Sequence, residues 1–172
     1  MRVVTFGVGS SLDNFIARPD HTTDWLAWSD EVAAISADYW KTIDTVVMGR
    51  KTYEVAVKLG TTSYPGVKNY VFSRTLKPAP NAKVAIVASD AVEFMRRLKE
   101  QPGKGICVMG GGELANSLFQ ANVIDEVGVN IHPVLLGAGI PLFLPMQQVN
   151  LELVEHQVLK NGCVYLRYRV KR

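Results

Sequence analysis

Apolar residues recur along this chain in two rhythms. Short, nearly continuous apolar runs, the mark of strands buried on both faces, occupy residues 2–9, 45–49, 69–73, 82–88, 105–109 and 125–136. Between them lie segments whose apolar residues return every three or four positions, as one face of a helix requires. Val32, Ile35, Tyr39 and Ile43 share such a face, behind Ser29 as N-cap and the first-turn acids Asp30 and Glu31. A short helix opens at Arg50, directly after the 45–49 strand. Asp90 caps the next, with Glu93 three residues on and Ala91, Phe94, Met95 and Leu98 as its buried face. A fourth spans residues 113–120. The rhythm then changes to period two. Residues 151–158 and 164–170 alternate apolar and polar around Asn161-Gly162, a hairpin signal.

Strand and helix alternate through Ala121 and strands follow, which argues for an α/β fold. Its central sheet is mostly parallel and covered by helices, with antiparallel strands at the C-terminal edge. Neither a repeat nor a linker interrupts the pattern, and 172 residues suit one domain, residues 1–172. The irregular stretch at residues 10–28 is long for a connection, and long ordered loops are often functional. Residues 74–81 read as a proline-bearing loop and residues 137–145 as a second, rich in Gly and Pro.

Composition narrows the function. Net charge is only +3, with no basic cluster beyond residues 95–99, so neither nucleic acid nor membrane is an expected partner. Cys107 and Cys163 sit in apolar runs without CxxC spacing, the pattern of two buried thiols in a reduced, cytoplasmic protein. His21, His132 and His156 are scattered, and no metal site is expected. The apolar run at the N-terminus is too short for a signal peptide or a membrane span.

Ligands of open parallel sheets bind beyond the carboxyl ends of the strands. Three of those ends carry similar chemistry here. Gly49, Arg50, Lys51 and Thr52 follow one strand, Ser73 and Arg74 another, and Gly110, Gly111, Gly112 and Glu113 a third. Taken alone, the three glycines admit two readings: a tight turn packed under the sheet, or bare backbone against a phosphate at a helix N-terminus. Cations, hydroxyls and glycines on one rim favour the phosphate and suit a dinucleotide. Arg50 and Arg74 together favour an extra ribose phosphate, hence NADP over NAD.

The order of the motifs VVMGRKTYE, FSR and VMGGGEL resembles the dihydrofolate reductase fold, a three-layer α/β/α arrangement. With SLDNFIA, DWL and IDEVGVNIHPVLLGAGIPLF, the chain is more similar to the branch named after the C-terminal reductase domain of bacterial riboflavin biosynthesis. The resemblance runs from Arg2 to about Phe143 and more loosely to the end. It implies NADPH as cofactor. It places Gly49, Arg50, Lys51 and Thr52 at the cofactor phosphates and Ser73 and Arg74 at the adenosine ribose phosphate. Met109, Gly110, Gly111, Gly112, Glu113 and Leu114 fall under the pyrophosphate and nicotinamide ribose. Val8 and Ile16 fall beside the nicotinamide, with core packing as the competing reading. On the substrate side it implies a wall of Asp13, Phe15, Asp24 and Trp25, with Tyr53. Asp13 either orients a substrate or caps its own turn; Trp25 and Tyr53 either stack on a planar ring or pack as core aromatics.

Three departures matter. Ala33 stands where dihydrofolate reductase proper has a carboxylate on its first helix, so folate reduction is not expected. Asn14 replaces the usual glycine of SLDG, a residue that still tolerates a left-handed backbone. No HxE with PCxxC marks a deaminase half. The expected activity is NADPH-dependent hydride transfer to a small heterocycle or a sugar-derived imine or carbonyl, which requires no nucleophile. The alternatives are a nucleotide-binding module without turnover and a scaffold that uses the fold only for association. The branch is generally dimeric, and the edge hairpin with the apolar stretch 127–144 leads to an expected homodimer through the C-terminal strands.

Overall fold

A computed structural model describes residues 1–77, 80 and 82–172 of the chain. The expected loop at 74–81 therefore lies partly outside the described residues. The N-terminal apolar run forms β1 (Val4–Ser11), and a short β2 (Phe15–Ala17) follows. Helix α1 (Asp30–Thr42) leads to β3 (Ile43–Gly49), and α2 (Arg50–Lys58) to β4 (Lys68–Phe72). Next come β5 (Ala85–Val87), α3 (Ala91–Glu100), β6 (Gly105–Val108), α4 (Gly112–Gln120) and β7 (Glu126–His132). The chain closes with β8 (Ile140–Pro141), β9 (Leu151–Val158) and β10 (Val164–Val170).

Eight strands form one sheet in the order β5-β4-β3-β6-β1-β7-β10-β9. The first six are mutually parallel, and β10 runs antiparallel to both β7 and β9. The mixed sheet and the three-layer α/β/α arrangement are as the sequence predicts. On one face α3 and α4 bury Met95, Leu98, Leu114, Leu118 and Phe119 against Val4, Phe6, Ile106 and Val108. On the other, α1 and α2 bring Tyr39, Trp40 and Tyr53 to Val46, Met48, Val71 and Cys107. Each such fully buried aliphatic side chain contributes about 1.5–3 kcal/mol. Period two along the strands produces both faces: Val4 and Phe6 point one way, while Thr5 and Gly7 point the other.

Several boundaries differ from the sequence reading, each for a local reason. Ile43 shares the apolar period of α1 but opens β3, because the helix ends at Thr42 and Ile43 pairs with Gly105. The strand expected over 125–136 stops at His132, ahead of Pro133, which has no N–H to continue a ladder. The 10–28 stretch is not wholly irregular, since β2 pairs with β8 and fastens this loop to the Gly/Pro-rich one. Asn14 takes φ 65, the left-handed turn the motif requires. All of β9 is exposed although its sequence alternates, because it is the edge strand of the sheet with β10 as its partner.

Candidate functional site

Strands β3 and β6 are neighbours, yet the helices that follow them leave on opposite faces of the sheet. Their carboxyl ends therefore mark a topological switch point. Both helices begin at a glycine. Gly49 and Gly111 are the N-caps of α2 and α4, and neither supplies a side-chain cap, whereas Ser29 and Asp90 cap α1 and α3. The orphan N–H groups of α2 and α4 are thus free of side-chain acceptors at the ends that line the cleft. The two turns are tied together. Gly49 N donates to Gly110 O at 2.9 Å, and Met109 N donates to Val47 O at 3.0 Å. Gly110 has φ +113, and the Gly110–Gly111 peptide is cis. A Cβ at Gly49 would lie 3.5 Å from Gly111 N, and one at Gly110 would lie 3.4 Å from Thr52 Oγ1. The triple glycine is therefore a tight turn that leaves bare backbone beside a helix N-terminus. Of the two sequence readings, the structure shows the tight turn, and it leaves the backbone open where the other reading placed a phosphate.

Charge gathers on this rim. Arg50 pairs with Glu54 at 2.9 Å one turn along α2, and Lys51 reaches Glu113 at 3.9 Å across the gap between α2 and α4. Ser73 Oγ accepts from Thr75 N at 3.2 Å and Leu76 N at 3.0 Å, so it shapes the turn that presents the exposed Arg74. These residues border one side of a cleft of about 1540 Å3. That exceeds the usual range of about 300–1,000 Å3 for small-molecule sites and leaves room for more than one ligand.

The other side of the cleft runs beneath α1. Along this face β1 presents Thr5, Gly7 and Gly9, and β7 presents Gly128, Asn130 and His132, with Gly7 opposite Gly128 and Gly9 opposite Asn130. Three glycines leave the floor bare, so α1 spans a hollow; Val32 is its one buried residue among those described. Ile35, Tyr39 and Trp40 form the roof, and Cys107 and Tyr165 also line the space. His132 is 3 % exposed. Its Nδ1 accepts from Ala27 N at 3.1 Å and lies 3.4 Å from Cys163 Sγ. With Nδ1 an acceptor, the neutral ring carries its proton on Nε2, 3.3 Å from the end of the Asn130 carboxamide, so that side chain presents its oxygen to the imidazole N–H. Burial lowers the His132 pKa, so the ring is neutral near pH 7. Burial also pushes the Cys107 thiol up to about 11 and raises the Tyr39 phenol. Each shift favours the uncharged form.

The structure brings most of the residues expected around a cofactor to this cleft. Val8, Ile16, Gly49, Arg50, Lys51, Thr52, Ser73, Arg74, Met109, Gly111, Gly112, Glu113 and Leu114 all line it. Gly110 is buried behind them, holding Gly49. The expected substrate residues are placed elsewhere. Asp13 accepts hydrogen bonds from Ser11 Oγ at 2.6 Å, Leu136 N at 3.1 Å and Gly137 N at 2.8 Å, so it clamps its turn to the neighbouring loop. Those bonds, the Ser11 hydroxyl first, hold its carboxyl below the ordinary range. Phe15 stands opposite Pro141 in the β2–β8 pair. Asp24 is bound to Arg18 at 2.7 Å. Trp25 packs edge-on against His132 with centroids 5.4 Å apart, and Tyr53 is a core residue at 3 % exposure. None of these five lines the cleft.

The residues that line the cleft beneath α1, Tyr39, Asn130, His132 and Tyr165, carried no motif. Their signal was glycine and polar residues at alternate positions of two apolar strands. It becomes readable only once those strands are known to be neighbours. Ala33 is not among the α1 residues lining the cleft, and Glu31 accepts from Lys160 N at 2.7 Å. No carboxylate of α1 therefore borders the cleft. Among the described residues no cluster of His, Cys, Asp or Glu could hold a metal, and no helix is long and apolar enough to cross a membrane.

Comparison with known proteins agrees with this geometry. The chain is 37 % identical over 138 residues to the Bacillus subtilis (strain 168) protein YwjB, covering 79 % of each. It superposes on a putative riboflavin biosynthesis protein from Shewanella sp. PV-4 with a TM-score of 0.85 at 24 % identity, covering 100 % of both chains. It also superposes on dihydrofolate reductase from Enterococcus faecalis, complexed with NADP(H) and RAB-propyl, with a TM-score of 0.73 at 17 % identity, covering 99 % of this chain and 97 % of the other. These two superpositions establish the dihydrofolate-reductase-like fold. Residues 2–165 match the RibD C-terminal domain, and with nearly its whole length inside that match the chain belongs to the RibD C-terminal domain family.

Proposed function

We propose that this protein is an NADPH-dependent reductase that delivers hydride to a small heterocyclic or sugar-derived imine or carbonyl compound. The observation that carries the reading is the pair of helix N-termini without side-chain caps, at the ends of adjacent strands, flanked by Arg50, Lys51 and Arg74. Two helix dipoles and open N–H groups suit a pyrophosphate. A methyl at Gly49 would fill the space between the two turns, so the bare backbone fits a ligand that approaches closely. Ser73 and Arg74 stand where a ribose phosphate would meet a hydroxyl-shaped turn and a guanidinium. Val8 and Ile16 add apolar side chains to the cleft lining. When bound there, NADPH supplies the hydride: the acceptor carbon of the C=N or C=O group receives it, the heteroatom takes a proton, and NADP+ remains. The protein's part is to hold donor and acceptor close and to exclude water, for which α1 and the bare sheet face form a slot.

Family membership and the NADP(H) complex of a protein of the same fold support this reading. A second reading, nucleotide binding without turnover, is favoured by the lack of an α1 carboxylate on the cleft. The two part on whether bound NADPH is oxidised by any acceptor. The proposal includes a homodimer through the C-terminal strands, supported by the uncovered β9 edge. It also includes a reducing compartment such as the cytoplasm, supported by two free, buried cysteines.

Trp28 and Trp40 line the cleft, so tryptophan quenching reports its occupancy directly. Tight NADPH binding with weak NADH binding is expected. Failure of both to bind would remove the cofactor site and the reductase reading with it.

A further inference from the structure

The strap from Thr23 to Trp28 borders the cleft with Thr23, Leu26 and Trp28, and it runs into Ser29, the N-cap of α1. Two side chains fasten its backbone at Ala27. Ala27 N donates to His132 Nδ1 at 3.1 Å, and Ala27 O accepts from Asn161 Nδ2 at 3.2 Å. Leu26 lies on the bare strand beneath, since a Cβ at Gly9 would come within 3.1 Å of Leu26 Cδ2 and 3.4 Å of His132 Nε2. Trp25 packs edge-on against the same imidazole. One buried ring thus holds the strap by a hydrogen bond and by packing.

The hydrogen bond depends on the charge of the ring. A neutral imidazole has one acceptor nitrogen, and here it is Nδ1, because Nε2 gives its proton to the Asn130 carboxamide. A protonated imidazole donates from both nitrogens. Its Nδ1–H would face the Ala27 N–H, donor against donor, and leave a buried amide without an acceptor. The Cys163 thiol, 3.4 Å from Nδ1, gives the new N–H another partner: burial keeps the thiol uncharged, and its sulfur is a weak acceptor. The charged ring keeps a contact in β10 while the strap loses its own.

The surrounding charges are committed elsewhere. On the strap Asp24 is bound to Arg18, and at the start of α1 Asp30 is exposed and Glu31 accepts from Lys160 N of the hairpin turn. β1 offers Gly9, β7 offers Asn130, and on β10 burial raises the pKa of both Cys163 and Tyr165 and keeps them neutral. Burial is also what lowers the pKa of His132. Release of the strap would hydrate the ring and return it toward its ordinary value of about 6.5, so proton uptake and opening favour each other.

We propose that His132 is a positioning residue that latches the strap over the cleft: the neutral ring holds Ala27 in place, and one proton on Nδ1 frees Thr23–Trp28 and weakens ligand binding in the cleft. Opening is independent of the reductase reading, and only the identity of the ligand rests on it.

The test is amide hydrogen exchange by NMR on the isotope-labelled full chain, between about pH 8 and about pH 5, with each rate divided by its intrinsic rate. Protection of the Ala27 amide should be level above about pH 6.5 and fall by up to about tenfold per pH unit below it, in step with titration of the His132 ring protons. Ala27 should also stay at least about tenfold less protected than the amides of β6, which marks a local opening. His132→Asn puts a carboxamide oxygen near the place of Nδ1 and cannot take the charge, so its Ala27 protection should not follow this fall. If that variant does not fold, the profile of the unsubstituted protein decides. Level protection of Ala27 down to about pH 5 overturns the latch. So does exchange of Ala27 at the rate of β6, or a fall that persists in folded His132→Asn. NADP+ titrated near pH 7.5 and pH 5.5 then keeps the two readings apart. Its affinity should drop at least about threefold more in the unsubstituted protein than in His132→Asn, and equal drops overturn the effect on the cleft. Opening without nucleotide bound at either pH sinks the cofactor reading and leaves the latch.

Discussion

Gly49 and Gly110 are joined by a hydrogen bond of 2.9 Å from the amide of one to the carbonyl of the other, across the ends of two adjacent parallel strands. The bond locks together the turn that opens α2 and the turn that opens α4. Two helix N-termini are thereby held at a fixed spacing on one rim.

Gly110→Ala should break that lock. Gly110 sits at φ +113, a region that costs an L-residue roughly 1–2 kcal/mol, and the added methyl would lie 3.4 Å from Thr52 Oγ1. A stability loss of about that size in urea unfolding is expected, together with weaker NADPH binding. Unchanged stability would mean the turn relaxes freely.

Arg50→Ala and Arg74→Ala should each weaken NADPH binding by roughly 1.5–3 kcal/mol, the worth of a charge-assisted contact. Arg50 can exchange its exposed ion pair with Glu54 for a phosphate at little cost, since such pairs are weak. Arg74→Ala should erase most of the preference for NADPH over NADH, whereas Arg50→Ala should affect both nucleotides alike. Calorimetric titration of the two nucleotides against each variant measures this. A preference unchanged by Arg74→Ala would move the ribose phosphate elsewhere.

His132 makes folding pH-dependent. Its folded-state pKa lies below the ordinary value of about 6.5 because it is buried. As pH falls through about 6.5 the unfolded chain takes up the proton first. Stability is therefore full above that pH and declines until the folded ring titrates. His132→Gln should flatten the profile between about pH 6.5 and the carboxylate range, at a lower plateau because the Ala27 N–H loses its acceptor. The carboxylate of Asp44 acts in a separate, more acidic window. Burial alone would raise its pKa, but Lys104 N, the Thr45 hydroxyl and Arg2 outweigh that and lower it, so its contribution is lost only below about pH 4. Chemical denaturation across pH distinguishes the two windows.

The strand β9 exposes Leu153 and, at 75 %, Val158, on an edge with unpaired backbone groups. A dimeric mass is expected in light scattering at micromolar concentration. Leu153→Lys combined with Val158→Lys should yield a monomer that still binds NADPH. A monomer in the unsubstituted protein would rule out the proposed dimer.

The rim of glycines, cations and hydroxyls was open to sequence reading because its ingredients are local. A glycine, a cation and a hydroxyl at the end of an apolar run lie within a few residues of one another. The parallel order of the strands then brings the three rims together, since parallel strands end on the same side. Element type was equally local: period two and period 3.6 are written along the chain, and the caps Ser29 and Asp90 stand where the pattern put them.

The hollow beneath α1 was not local. Tyr39 and Tyr53 each sit on a helix against the same face of the sheet, and the sequence pointed to Tyr53. What separates them is the floor beneath. Under α1 the chain places Gly7 and Gly9 beside Gly128, strands more than a hundred residues apart in sequence, and a hollow opens around Tyr39. Tyr53 instead packs among the side chains of the second core cluster and is buried. Strand period, helix caps and the rim of glycines, cations and hydroxyls follow from neighbouring residues, so the sequence by itself determined them. Which bare strands lie side by side, and so where the pocket opens, depends on long-range pairing, and only the tertiary structure decided it.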